Sequence, residues 1–241
     1  MAVLLTLASL VTSIISGVFG MAGGMILMGV YAALLPVSVA MVLHGVTQLL
    51  ANAMRAAILM RHVYLRGTFF YVLGALGIFA VLREVRYVPD PAVVFLVLGL
   101  SPFVAAALPA RWLDFDRPAA AFITGINVAG VQLLAGAAGP LLDVAFVDTS
   151  LRREQIVATK AVTQVFSHGI KLLYFIPLLE RGAFDFRIVA GIVVATFACT
   201  VVGTRILQRL RDDDFRRYSR YIVYATGFFY LGKAAYLFVR A

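Results

Sequence analysis

Cysteine, lysine and histidine are all scarce in this sequence. Its 241 residues include one cysteine, three histidines and three lysines. The single cysteine, Cys199, excludes a disulfide bridge within the chain and is most simply a small packed apolar residue. Charged residues are also few, at 14%, whereas 62% of the residues are hydrophobic and the mean hydropathy is +0.95. Because a soluble domain is about half apolar, the excess predicts a surface that faces lipid.

A basic segment before the first apolar run is missing as well. Secretory signal peptides begin with a positively charged region, and residues 1–19 contain neither Lys nor Arg. The run also has a counterpart at 117–135, well inside the chain, where no signal peptidase would cut. We therefore predict that residues 1–19 belong to the fold.

Apolar stretches long enough to cross a bilayer recur from one end of the chain to the other. A crossing helix needs about 20 apolar residues, and the stretches occupy roughly 38–60, 68–82, 91–110, 155–179, 186–207 and 219–239. The predicted fold class is therefore an all-α integral membrane protein. The net charge of +9 needs no nucleic-acid partner, because most basic residues lie in short connections between these stretches.

The sequence repeats itself at an offset of 116 residues, the separation of Gly20 and Gly136. Residues 20–24, Gly-Met-Ala-Gly-Gly, align with residues 136–140, Gly-Ala-Ala-Gly-Pro. Val-Thr-Gln at 46–48 aligns in the same way with Val-Thr-Gln at 162–164. These matches fall on helix breakers and polar residues, where chance similarity between apolar segments does not explain them. We predict two repeats, residues 1–112 and 113–241, within one membrane domain.

Each repeat is predicted to consist of a Gly-broken hairpin followed by three crossing helices. The hairpin limbs are 2–19 with 24–35 and 118–135 with 140–147, and the helices are 38–61, 68–83, 91–110, 154–179, 186–208 and 217–239. At 1.5 Å per residue, the second limbs are too short to cross. They are therefore predicted to be re-entrant, with simple kinks at glycine as the alternative.

The predicted orientation follows from the number of crossings and from the arginines. Three crossings per repeat is an odd number, so the two repeats must have inverted topology. The connections assigned to one face contain twelve arginines, against five on the other. By the positive-inside rule the first face is cytoplasmic, which places both termini on the outer side of the cell inner membrane.

Two stripes of polar residues lie at equivalent positions of the repeats. On ideal helices each stripe occupies one face, and Ser167 lies beside the second. The paired members are His44, Thr47, Gln48, Asn52 and Arg55 in the first repeat and Lys160, Thr163, Gln164, His168 and Lys171 in the second. Lipid cannot satisfy their hydrogen bonds, so both stripes are predicted to face inward and to form one substrate site, marked by the two glutamines.

The charges of the stripes indicate the substrate. Neither stripe carries a carboxylate, and the nearest intramembrane acid is Asp143. Such a pocket favours an anion over a metal ion, sodium or ammonium, and we expect no metal and no cofactor. The breakers are predicted to add backbone N–H donors at helix starts, through Gly20, Gly23, Gly24, Gly136 and Gly139.

Each polar residue also has a simpler interpretation. Arg55 and Lys171 can extend to the membrane interfaces, and His44 can bond a neighbouring carbonyl group. The stripe threonines can bond within their own helices. Lys233, in the last helix, has no repeat partner and is predicted to be structural or interfacial.

These motifs resemble the sulfite exporter TauE/SafE family. The first half matches in residues 20–24, Pro36 and a helix with Gln48 and Asn52 that ends at Arg61, and residues 136–182 match the second half. The resemblance implies an inverted-repeat carrier that exports sulfite, sulfoacetate or a related organic anion by alternating access. The sequence departs from the family where Met21 and Ala22 interrupt the glycine run and where Pro140 ends the second breaker.

Other classes of function explain the sequence less well. An anion channel or a carrier of a non-sulfur organic anion would use the same pocket. An intramembrane protease needs two carboxylates or a Ser–His pair on separate helices, whereas Ser167 and His168 are adjacent. A retinal protein would lack a counter-ion unless Asp143 served. We therefore expect a non-enzymatic protein whose partners are a small anion and the lipid bilayer, with a homodimer allowed and no nucleic acid.

Overall fold

The computed structural model describes residues 10–12, 21–109, 112–180, 190–191, 194 and 212–240, and every element formed by these residues is helical. The helices are α1 Met21–Leu34, α2 Val37–Leu59, α3 Leu65–Val85, α4 Pro91–Ala107, α5 Pro118–Ala135, α6 Gly139–Val144, α7 Arg153–Phe175 and α8 Asp212–Arg240. The all-α prediction is thus confirmed for this part of the chain. Except for short helical pieces, the predicted limb 2–19 and helix 186–208 lie outside the described residues.

The sequence repeat reappears in the boundaries of two helices. α2 and α7 each have 23 residues and begin 116 residues apart. Each runs directly into a three-residue 3₁₀ turn, Met60–His62 after α2 and Ile176–Leu178 after α7. The predicted helices 38–61 and 154–179 therefore correspond to a helix plus its terminal turn in both repeats.

Among the described residues, four segments are long and apolar enough to cross a membrane: Val37–His62, Leu65–Val85, Pro118–Ala135 and Arg220–Arg240. The third is α5, which the sequence predicted as a hairpin limb and which could cross by its own length. α6, with six residues, is far too short to cross. α7 is long enough, but its polar stripe lowers its hydropathy. The re-entrant arrangement stays a prediction.

The two predicted breakers differ in structure. Gly136 has φ +79°, caps α5 in the left-handed conformation and separates it from α6, which begins at Gly139. In the first repeat α1 already begins at Met21. The predicted break over residues 20–24 is therefore wrong for residues 21–24, which are helical. Met21 and Ala22 are good helix formers, whereas Pro140 favours the first turn of a new helix.

Close helix pairs build the bundle: α2 with α7, α3 with α5, and α4 with α8. Glycine permits the second contact, because a Cβ atom at Gly74 would collide with the Phe122 carbonyl oxygen, and one at Gly125 with the Tyr71 carbonyl oxygen. Small residues at such crossings are typical of membrane helices, which associate through close backbone packing.

α2 and α7 run antiparallel. Gly45 lies against Leu172, whereas the Tyr64 backbone N–H, further along the chain, donates to Thr159 Oγ1 at 2.9 Å. Residue numbers therefore fall along α7 as they rise along α2. α7 also lies between two apolar cores, with Ile170 in one and Phe175 in the other. The polar stripes of α2 and α7 are thus brought to the middle of the molecule.

Candidate functional site

Lys171 forms the centre of a buried polar cluster. Its side chain, on α7, is 0% exposed. The Nζ atom lies 2.7 Å from His44 Nδ1 on α2 and donates to the Gly136 carbonyl oxygen at 2.8 Å. A side chain that reaches inward to these partners does not extend to the membrane interface, so the interfacial interpretation of Lys171 is wrong.

The hydrogen bonds of His44 fix its tautomer. Its Nε2 atom lies 2.8 Å from the Gly24 carbonyl oxygen, which can only accept a hydrogen bond. Nε2 therefore carries the proton, and Nδ1 is the acceptor for Lys171. His44 is thus neutral in this arrangement. One hydrogen-bonded chain runs from Gly24 through His44 and Lys171 to Gly136, and it joins the two repeats.

His168 and Gln132 extend the cluster. The His168 ring lies 5.5 Å from the His44 ring, centroid to centroid. The Gln132 amide nitrogen lies 2.7 Å from His168 Nδ1 and 3.0 Å from Nε2. Gln132 belongs to α5 and was missed by the sequence analysis, since its equivalent in the first repeat is Ser16 and no matched pair drew attention to it. The sequence feature that could have indicated Gln132 is a glutamine within an apolar helix.

Two buried amide atoms at this site have no hydrogen-bond partner among the described residues. They are Gln132 Oε1 and Gln164 Nε2, on side chains that are 1% and 6% exposed. Gln164 lies one turn before His168 on the same face of α7. An unpaired buried polar atom is costly, and a ligand that pairs with both atoms would remove that cost.

Gln48 lies at the edge of this cluster. It is half-buried, and its amide group faces Gly24 so closely that a Cβ atom there would lie 3.5 Å from it. Gly24 and Gly136 contribute carbonyl oxygens to the cluster, in contrast to the N–H donors predicted for the breakers. Gly23 and Gly139 are buried, and Gly20 lies outside the described residues.

Three of the stripe residues bond within their own helices. Thr47 Oγ1 donates to the carbonyl oxygens of Leu43 and His44, and Thr163 Oγ1 donates to that of Lys160. Asn52 Nδ2 donates to the Gln48 carbonyl oxygen. The hydroxyl protons of Thr47 and Thr163 are therefore used within α2 and α7, as the simpler interpretation of these threonines expects.

Lys160 is separate from the Lys171 cluster. It forms an ion pair with Asp143 of α6, and its Nζ lies 6.0 Å from the centre of the Phe146 ring. Its charge is therefore already balanced, contrary to the expectation of an unpaired cation on the second stripe. Arg55 is half-buried on α2. Eleven residues of helix separate it from His44, or about 16 Å.

Ser167 and His168 have partners on different helices. Ser167 Oγ lies 2.6 Å from the Tyr71 hydroxyl oxygen on α3, whereas His168 contacts Gln132 on α5. The two side chains therefore do not form a nucleophile and base pair. In the described part of the chain, no group of three or more His, Cys, Asp or Glu side chains is placed to hold a metal ion.

Crossing helices and an internal cluster around one buried lysine define a helical membrane protein with a polar site in its core. The chain belongs to the sulfite exporter TauE/SafE family, whose family model matches residues 5–230. Families of this kind are membrane transporters, and the resemblance found in the sequence is confirmed. No curated protein and no solved structure matches the chain.

Proposed function

We propose that the protein exports a small anion across the cytoplasmic membrane, with sulfite as the first candidate and sulfonated organic acids such as sulfoacetate as the second. The supporting observation is Lys171, which is wholly buried and has no carboxylate among its polar contacts with the described residues. An ammonium group in such a place is costly until an anion compensates it.

The hydrogen bonds among the described residues leave donors that an anion could use. A protonated lysine has three N–H donors, and two of them are used by His44 and Gly136. The third donor and the unpaired Gln164 Nε2 can both bond oxygen atoms of a ligand. Oxygen-rich anions such as sulfite offer several acceptors in a small volume, which suits this set of donors.

Alternating access is the transport mechanism that we propose. Inverted repeats usually rock one part of each half about a fixed central site. The antiparallel α2 and α7, with boundaries 116 residues apart, are suited to such a pseudo-two-fold arrangement. The chain of hydrogen bonds between Gly24 and Gly136 would then be the connection around which the two halves move.

Flux of sulfite into proteoliposomes tests the proposal. Lys171→Met keeps the apolar stem and removes the charge, and we expect flux to fall on the order of 100-fold or more. Lys233→Met is the matched control, because Lys233 lies on α8 with its Nζ 5.2 Å from the centre of the Tyr236 ring. It should transport like the wild type.

The same experiment has an outcome that contradicts the proposal. Flux at the wild-type level in the Lys171→Met protein would show that transport does not need the buried charge. Thermal unfolding of both variants in detergent shows whether each is folded. Counterflow, the accelerated exchange of labelled sulfite against an unlabelled excess, should be seen in the wild type if it is a carrier and absent if it is a channel.

A further inference from the structure

We infer that the site binds its oxyanion in the singly protonated form and that Gln132 recognises the proton. The inference rests on the proposed function and specifies the substrate of the same site. Two independent features of the cluster support it: its net charge and its set of unpaired hydrogen-bonding atoms.

With Lys171 protonated, the described cluster has a single positive charge. Lys171 supplies it, while His44 is neutral because its Nε2 donates to Gly24 and its Nδ1 accepts from Lys171. His168 accepts from the Gln132 amide on at least one ring nitrogen and is neutral as well. A monoanion balances one charge, whereas a dianion would leave an uncompensated negative charge in the core.

The other charged and titratable groups near the cluster do not change this balance. Lys160 is paired with Asp143, and Arg55 lies about 16 Å along α2 from His44. No titratable side chain is present on α5. Arg66, Arg83 and Glu84 on α3 and Arg153 and Glu154 on α7 are exposed. The other titratable groups on the neighbouring helices are phenols, neutral near pH 7: Tyr31 on α1, Tyr71 on α3 and Tyr174 on α7.

The hydrogen-bonding atoms also fit a protonated ligand. The amide nitrogen of Gln132 faces His168, which leaves Oε1 as a buried atom that can only accept. Gln164 Nε2 and the third N–H of Lys171 can only donate. The site therefore offers two donors and one acceptor, and an oxyanion that retains one O–H group satisfies all three.

This pattern ranks the candidate substrates. Hydrogensulfite has one negative charge and a proton to donate to Gln132. Sulfate and sulfoacetate are dianions near neutral pH, and methanesulfonate is a monoanion without an O–H group. If hydrogensulfite is the species carried, each transported sulfite takes its proton with it, and no separate proton site is needed.

Anion binding by the purified wild-type protein tests the inference by isothermal titration with sulfite, selenite, methanesulfonate and sulfate. Between about pH 6 and about pH 8 the affinity for total sulfite should fall about 10-fold as its monoanion is lost, whereas the affinity for total selenite, whose monoanion loses its proton about one pH unit higher, should fall about 2-fold at most. The affinity for methanesulfonate should stay constant and controls for titration of the site itself. Sulfate should bind more weakly than sulfite throughout.

The Gln132→Met variant isolates the role of the amide. At the lower pH it should bind sulfite about 10-fold more weakly than the wild type, with methanesulfonate binding unchanged. Gln155→Met is the matched control, since Gln155 Oε1 accepts from the Arg152 backbone N–H at the exposed start of α7, away from the cluster. It should bind all four anions like the wild type.

Three results would overturn the inference. Sulfite binding that strengthens as pH rises would show that the dianion is preferred. Equal weakening of sulfite and methanesulfonate in Gln132→Met would show that Gln132 only supports the structure of the site. Failure of the wild type to bind any of the four anions at either pH would overturn the proposed function itself, and the inference with it.

Discussion

Lys171 and Arg55 occupy equivalent positions in the two repeats, yet only Lys171 lies at the centre of the site. The contact between His44 and Lys171 has a repeat equivalent, which would join Lys160 to Arg55. Those two residues are both cations and repel each other. Lys160 instead pairs with Asp143. A sequence with two matched stripes therefore forms one asymmetric site.

The glutamines on the stripes should show this asymmetry in binding. Gln164→Leu removes a buried donor that has no protein partner, and we expect sulfite affinity to fall about 10- to 100-fold. Gln48→Leu changes a half-buried amide at the edge of the cluster, and the loss should be a few-fold at most. Isothermal titration compares the two, with Gln155→Leu as a surface control. Equal losses would indicate the nearly two-fold site that the sequence suggested.

Several members of the site could be predicted from the sequence. His44, Gln164, His168 and Lys171 fall on the predicted stripes because buried polar residues at helical spacing leave a periodic signal. The pairing of Lys160 with Asp143 could not be predicted, since it depends on where the short helix α6 packs. Gln132 was missed because its helix shows no polar periodicity.

At the scale of helices, glycine contacts determine how closely α3 and α5 approach. Gly74 and Gly125 each lie against a carbonyl oxygen of the opposite helix. Tyr71 and Phe122, whose carbonyl oxygens are involved, therefore lie at the closest point of the crossing. The same crossing positions Tyr71 to bond Ser167, next to His168, so the packing of α3 on α5 supports the site.

Adding one methyl group at this crossing should destabilise the protein. A Cβ atom at Gly74 collides with the Phe122 backbone, which cannot move without shifting α5. We expect Gly74→Ala to cost about 1–3 kcal/mol and to lower Tm by several degrees. Gly77→Ala is the control on the same helix, because a Cβ atom there has nothing within 4 Å. It should leave Tm unchanged or raise it slightly. Equal Tm values for the two variants would contradict the close crossing.

Helix boundaries show what a sequence can and cannot predict about the fold. The helices predicted over 38–61 and 154–179 differ from α2 and α7 with their 3₁₀ turns by one residue at each end, because Pro36 and the polar loop before residue 153 mark where they begin. The first breaker was predicted less well. Its glycines indicated a loop, but Met21 and Ala22 allow the helix to continue through them.

At the scale of the whole molecule, the described loops lie at two ends of the bundle. At one end Tyr64 bonds Thr159, and Asp116 accepts from Ser150. At the other end the Tyr174 hydroxyl donates to the Tyr87 carbonyl oxygen. The arginines sort between these ends as the sequence predicts: Arg61, Arg66, Arg117, Arg152 and Arg153 near the first, Arg83 and Arg86 near the second. Which end faces the cytoplasm stays a prediction.

Cysteine labelling in whole cells tests that orientation across a single helix. Arg66 and Arg86 are both exposed and bracket α3, whose 21 residues span about 30 Å, enough to cross the hydrocarbon core. In a Cys199→Ser background, Arg66→Cys should react only with reagents that enter the cytoplasm, because its end holds the larger set of arginines. Arg86→Cys should react with impermeant reagents from outside.

A third variant separates the two ways in which this prediction can fail. Arg117 lies near the Arg66 end but at the start of a different helix, α5, beside Asp114, so Arg117→Cys should be labelled from the same side as Arg66→Cys. If Arg66 and Arg86 are labelled from one side, α3 does not cross and the inverted repeats are wrong. If Arg66 and Arg117 are reached only from outside and Arg86 only from the cytoplasm, α3 crosses as proposed but the positive-inside orientation is reversed.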